Sequence, residues 1–158
     1  MERYFEKISF EQFSKDICSD IDLYHEYDLP RRASENACGY DFFAISDMVL
    51  HPGEIRKIPT GYRAKFLEDE MLLLVVRSSM GFRYNVRMCN QVGVIDSDYY
   101  NNSNNEGHLW VALQNEGDQD YMIRKGTAYC QGIFTKFLTC GEIVDCKRTG
   151  GFGSTDKN

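Results

Sequence analysis

Asp96 and Asp98 stand one residue apart in Gly93-Val94-Ile95-Asp96-Ser97-Asp98-Tyr99-Tyr100. Asn90-Gln91-Val92 leads in, and the Asn-rich stretch Asn101-Asn102-Ser103-Asn104-Asn105 follows. Carboxylates where a strand gives way to a loop sit on a rigid but open scaffold, which suits a general base. Taken alone, they read first as turn residues. A second group, Arg77-Ser78-Ser79-Met80-Gly81, puts a guanidinium, hydroxyls and a glycine behind the apolar run Met71 to Val76. Those residue types can hold a phosphate, or simply cap a strand end. A third, Arg148-Thr149-Gly150-Gly151-Phe152-Gly153-Ser154-Thr155, sets one aromatic among glycines, with a cation before it and hydroxyls after. Successive backbone N–H groups with such neighbours make an anion cradle, which a merely frayed terminus does not require. Two phosphate-type sites and a carboxylate pair suggest phosphoester hydrolysis on a polyphosphate. One carboxylate would act as base and another would help to hold Mg²⁺. Asp41, in Gly39-Tyr40-Asp41, is the natural residue for the second role.

The elements that must position these groups read as short strands. Tyr40 to Ala44, Glu54 to Ile58, Gly61 to Phe66, Leu109 to Leu113, Tyr121 to Ile123, Gln131 to Phe137 and Glu142 to Val144 are β-prone and separated by turns. His51-Pro52-Gly53-Glu54 has the residue order of a type II turn. Met71 to Val76 is a continuous apolar run, expected to be a strand buried on both faces. Close strand spacing with Gly-rich turns implies an all-β sandwich or barrel. Ahead of it, Phe10, Phe13 and Ile17 recur at helical spacing, predicting a short helix over Ser9 to Cys18 with Ser9 as N-cap. Arg31-Arg32 reads as a solvated basic spot.

A chain of 158 residues suits one domain, 1–158, with a variable N-terminal segment over 1–36 and a mobile C-terminal lid over 146–158. Its 42% hydrophobic residues, with ten Phe and ten Tyr, exclude a disordered chain. A net charge of −6 offers no footprint for duplex nucleic acid, though a divalent metal can bridge an acidic protein to a polyphosphate. The six cysteines, at 18, 38, 89, 130, 140 and 146, form no CxxC pair, and the three histidines do not cluster with them. They are expected to be buried, reduced thiols of a cytoplasmic protein, not a zinc site. No apolar run reaches membrane-spanning length, so no membrane association is expected.

Five blocks in order, spanning Ala37 to Thr155, resemble the homotrimeric deoxyuridine triphosphatase (dUTPase) family. They are Ala37 to Ala44, Arg77 to Gly81, Asn90 to Tyr99, Gly126-Thr127-Ala128-Tyr129-Cys130-Gln131, and Arg148 to Thr155. The resemblance implies a distorted β jelly roll and a trimer with active sites shared between subunits. It implies hydrolysis of dUTP to dUMP and pyrophosphate with Mg²⁺, which limits uracil incorporation into DNA and supplies dUMP for dTMP synthesis. On this resemblance Asp96 activates the water that attacks the α-phosphorus. Asn90 and the hairpin around Gly93 and Ile95 read the uracil edge, and Tyr99 packs on the deoxyribose. Asp41 reaches Mg²⁺ through metal-bound water, while Arg77, Ser78, Ser79 and Gln131 contact phosphates. Phe152 stacks over the uracil, with Arg148, Gly153, Ser154 and Thr155 in the closing lid.

The resemblance is not complete. Arg148 stands one residue closer to Phe152 than the family's arginine, unless Lys147 takes that place, and Asp156 replaces the final glycine. The loop from Tyr100 to His108 is longer than usual, either as a surface insertion or as a contact with a neighbouring subunit or a partner. Two alternative activities share the scaffold: dCTP deamination, alone or combined with dUTP hydrolysis, and a non-catalytic dUTP-sensing trimer. The order Ile95-Asp96-Ser97-Asp98-Tyr99 follows the diphosphatase pattern, because a deaminase normally carries Glu as its base.

Overall fold

The computed structural model describes residues 3–141. In chain order these form β1 (Tyr4–Lys7), α1 (Phe10–Asp16), α2 (Ile21–Glu26), β2 (Arg31–Arg32), β3 (Tyr40–Phe43) and β4 (Met48–Leu50). There follow β5 (Ile55–Pro59), β6 (Tyr62–Lys65), β7 (Glu70–Val76), α3 (Ser78–Tyr84), β8 (Val86–Met88) and β9 (Gly93–Asp96). A 3₁₀ turn (Ser97–Tyr99), β10 (Trp110–Asn115), β11 (Tyr121–Ile123) and β12 (Ala128–Lys136) complete the series. The all-β jelly-roll expectation holds. A five-stranded sheet β2-β3-β12-β7-β9 accompanies a three-stranded sheet β5-β10-β8 and the pairs β1-β6 and β11-β4. Every pairing is antiparallel.

Alternation places Phe42, Leu72 and Leu74 of the large sheet inside, with Val111 and Leu113 of β10 and Tyr62 and Ala64 of β6. Burying each of the larger side chains stabilises the fold by about 1.5–3 kcal/mol. Truncation of Phe42, fully buried against Phe5 and Tyr62, would cost about 3–5 kcal/mol. The β7 run is not buried on both faces: Leu72 and Leu74 are fully enclosed, but Met71, Leu73 and Val75 on the opposite face are only partly covered. β5 and β6, consecutive in sequence, do not pair with each other; β5 joins β10 and β6 joins β1.

Ser9 caps α1 as expected, its side chain accepting from the Gln12 N–H at 3.1 Å. The weakly patterned stretch that follows forms a second helix, α2, capped by Asp20. Phe13 stacks on Tyr27, and Tyr24 packs edge-on to Phe10 and Phe13, so rings hold the two helices to each other, and Tyr27 extends the cluster to Tyr62 of β6. The His51–Glu54 turn closes with the Glu54 N–H donating to the His51 carbonyl at 2.9 Å, and Gly53 takes φ +77°. Cysteine burial departs from expectation. Cys130 is fully buried, yet Cys38 and Cys140 are exposed, and the five described cysteines are free. No helix among the described residues is long and apolar enough to cross a membrane.

Candidate active site

Three separate sequence blocks meet in one pocket of about 350 Å³, lined by Gly39, Asp41, Arg77, Ser78, Ser79 and Gln131 together with Ala33 and Ala37. Asp41 on β3 lies directly opposite Gln131 on β12, so the ladder sets both side chains on the same face of the sheet. Arg77 follows β7 and turns its Nε to within 3.5 Å of Asp41 Oδ1. The carboxylate is nearly enclosed, at 11% side-chain exposure, while the guanidinium is 42% exposed, so a cation faces any incoming anion. Gly39 makes room for the Gln131 side chain: a Cβ there would lie 2.1 Å from Gln131 Oε1. The block Arg77 to Gly81 is not a strand end. Ser78 begins α3, and Gly81 sits within that helix, where a Cβ would meet only the Val86 carbonyl oxygen at 3.9 Å.

The other cluster is the turn between β8 and β9. The Gln91 N–H donates to the Met88 carbonyl at 3.1 Å, and Gln91 takes φ +60°. This turn leaves Asn90 exposed, beside a cavity of about 520 Å³ walled by Met88, Trp110 and Val111. Along β9, Gly93 and Ile95 point inward, and Val94 and Asp96 outward. Asp96 ends the strand and opens the 3₁₀ turn that carries Tyr99. The Tyr99 ring is buried; its hydroxyl donates to the His108 carbonyl at 3.2 Å and accepts from Asn105 Nδ2 at 2.9 Å.

The two clusters do not meet within one chain. Asp41 shares a row with Gln131 and Val75, whereas Asp96 lies opposite Met71, four residues further along β7. With β12 and β7 between β3 and β9, the two carboxylates stand about 20 Å apart on one face. Between them run Leu73, Val94 and Ile133, an apolar row whose Val94 is 56% exposed.

A divalent cation would find one carboxylate in the pocket, Asp41, with Arg77 beside it. Among the described residues no group of three or more His, Cys, Asp or Glu side chains could hold a metal. This donor set suits Mg²⁺, which keeps several waters and takes its remaining ligands from phosphate oxygens. It does not suit a metal caged by protein.

Asp16, which no sequence motif marks, and Asn105 and His108, which the sequence marks only as part of a long loop, build the surroundings of Tyr99. One signal was available, a lone His beside an aromatic strand, and it does not point to Tyr99. The lid residues Arg148, Phe152, Gly153, Ser154 and Thr155, with Lys147 and the Glu142 to Val144 strand, lie outside the described residues.

Comparison with known proteins matches residues 25–155 to the dUTPase family model. A deoxyuridine 5'-triphosphate nucleotidohydrolase of Lactococcus lactis is 43% identical over 130 residues, covering 80% of this chain and 87% of that protein. The crystal structure of a dUTPase from Streptococcus mutans is similar, with TM-score 0.70 and 36% identity over 87% of this chain and 98% of that one. A dUTPase of Staphylococcus bacteriophage 80alpha, solved with dUPNHPP, shares the fold at TM-score 0.67 and 20% identity, over 97% of each chain.

Proposed function

The chain belongs to the dUTPase family, and from that membership we infer that it is a dUTP diphosphatase, hydrolysing dUTP to dUMP and pyrophosphate. The observation that carries the assignment of residues is the convergence of Asp41, Arg77, Ser78, Ser79 and Gln131, drawn from three blocks, on one pocket. Residues 1–158 act as one domain in this reading.

Asp96 is the base. Its carboxylate takes a proton from water as the oxygen attacks the α-phosphorus, and the bond to the bridging oxygen breaks. The departing pyrophosphate lies against Arg77, Ser78, Ser79 and Gln131, whose donors neutralise its oxygens. Mg²⁺, with Asp41 holding it at one remove through water, supplies further charge neutralisation when bound. Asn90, Gly93 and Ile95 line the uracil edge. Unpaired buried polar groups would make the wrong base costly, by about 1–3 kcal/mol for each group. Tyr99 closes the sugar side, where a 2′-hydroxyl would clash. Arg148, Phe152, Gly153, Ser154 and Thr155 close over the bound nucleotide and exclude water from it.

The spacing of Asp96 from the pocket supports sites shared between copies, in a homotrimer. A nucleotide cannot span the distance between the two carboxylates within one chain and keep its α-phosphorus beside Asp96. The apolar row Leu73, Val94 and Ile133 offers the surface on which a second copy would pack.

Pyrophosphate release across dUTP, dTTP, dCTP and UTP tests the function. Turnover is expected with dUTP alone, lost to a chelator and restored by Mg²⁺. Ammonia released from dCTP without pyrophosphate would overturn the assignment.

A further inference from the structure

The helix α1 precedes residue 25, where the family match begins, yet both of its ends are bonded to the loop that follows Tyr99. At its start, the Ser9 N–H donates to Glu106 at 2.9 Å, and the Ser9 hydroxyl donates to the same carboxylate. At its last turn, Asp16 Oδ2 accepts from His108 Nδ1 and from Gln12 Nε2, each at 2.6 Å. His108 is wholly buried, and its Nε2 accepts the Gly61 N–H at 2.9 Å. That bond fixes the tautomer, leaving the proton on Nδ1, directed at Asp16. A ring held at both nitrogens holds its own backbone, and the His108 carbonyl is the acceptor for the Tyr99 hydroxyl. Asn105 Nδ2 donates to that same hydroxyl at 2.9 Å and to the His108 carbonyl at 3.3 Å, and Asn102 Nδ2 donates to the Tyr99 carbonyl at 2.9 Å. Asn102 and Asn105 of the Asn-rich loop thus clamp Tyr99 of their own chain.

We propose that Asp16 and His108 are positioning residues for sugar selection: through them, α1 sets the angle of the Tyr99 ring and so the rejection of ribonucleotides. The proposal rests on the reading of Tyr99 as the residue beside the deoxyribose. Ring placement matters here because a clash is steep in distance. A shift of about 1 Å suffices to change a rate a hundredfold, or to admit an oxygen that the native ring excludes. Neither Asp16 nor His108 touches the nucleotide in this scheme.

The test is the ratio of kcat/KM for dUTP to that for UTP, from which the fraction of folded enzyme cancels. A merely structural role would lower both terms together. Asp16→Ala is expected to lower the ratio about tenfold, and Asp16→Asn, which keeps an acceptor for His108 Nδ1, to retain it. Tyr99→Phe keeps the ring and cuts its bond to His108, so it should lower the ratio to a similar extent. The double variant Asp16→Ala/Tyr99→Phe should lower it no further, because both cut one path. An unchanged ratio in folded Asp16→Ala, or additive losses in the double variant, would overturn the relay. Tyr99→Leu separates the two levels of argument. If it leaves the sugar preference intact, the placement of Tyr99 is wrong; if it destroys the preference while Asp16→Ala preserves it, the relay alone falls.

Discussion

Asp41 and Asp96 lie on the same face of one five-stranded sheet, about 20 Å apart, with the full strands β12 and β7 between them. If one belongs to the phosphate pocket and the other activates water, the complete site needs two copies of the chain. Equal co-expression of Asp96→Asn with Arg77→Ala chains should then regenerate roughly a quarter of wild-type activity, because one site in four draws both residues intact from random partners. Activity no greater than that of the two variants alone would place each site within a single chain.

Asp96 is exposed at the end of β9, so its replacement disturbs little packing. Asp96→Asn should lower kcat about 10²–10⁴-fold, the usual contribution of a general base, while the melting temperature and oligomeric state stay unchanged. Retention of most activity would remove Asp96 from its proposed role.

Gly39→Ala probes the phosphate pocket from beneath. The new methyl would collide with Gln131 Oε1, the far end of a flexible side chain, which must swing away. KM for dUTP is expected to rise about tenfold with a stability loss below about 1 kcal/mol. A large loss of stability with unchanged kinetics would show that Gln131 serves packing alone.

The pKa values of His108 and His51 are shifted in opposite directions. Burial lowers the pKa of His108 from its ordinary 6.5, against the opposing pull of Asp16 and Glu106. An unfolded chain therefore binds this proton more readily than the native one. The stability that His108 contributes is present above pH 6.5 and is lost as pH falls through its depressed native value. His51, exposed and bonded to Asp120 at 2.8 Å, is raised instead, so its small contribution is present below the ordinary value and fades as pH rises. Imidazole NMR between pH 8 and 5 should show His51 protonating at higher pH than His108, the latter carrying its neutral-state proton on Nδ1. The reverse order would contradict the buried geometry.

Much of the site was legible because its chemistry is local. Arg77-Ser78-Ser79 and Gly39-Tyr40-Asp41 each present their functional groups within a few consecutive residues, and short segments declare residue type and strand period directly. Ser9 was readable as a cap for the same reason, since its partner Gln12 lies three residues away. The helix α3 was not, because Ser-Ser-Met-Gly-Phe-Arg-Tyr is weakly patterned and contains a helix-disfavouring glycine. Nor was the fate of β7. A continuous apolar run does not reveal which face the rest of the chain will cover.

By itself, then, the amino-acid sequence determined the strand-rich class, the residue types of a candidate phosphate site and a candidate base, and the order of blocks that marks the family. Only the tertiary structure decided that Asp41, Arg77 and Gln131 share a pocket from which Asp96 is held apart, and that Asp16 reaches Tyr99 through His108. The physical reason is one of range. Propensity and periodicity act over a few residues, whereas β register and side-chain bonds join positions such as 16 and 108 that no local pattern connects.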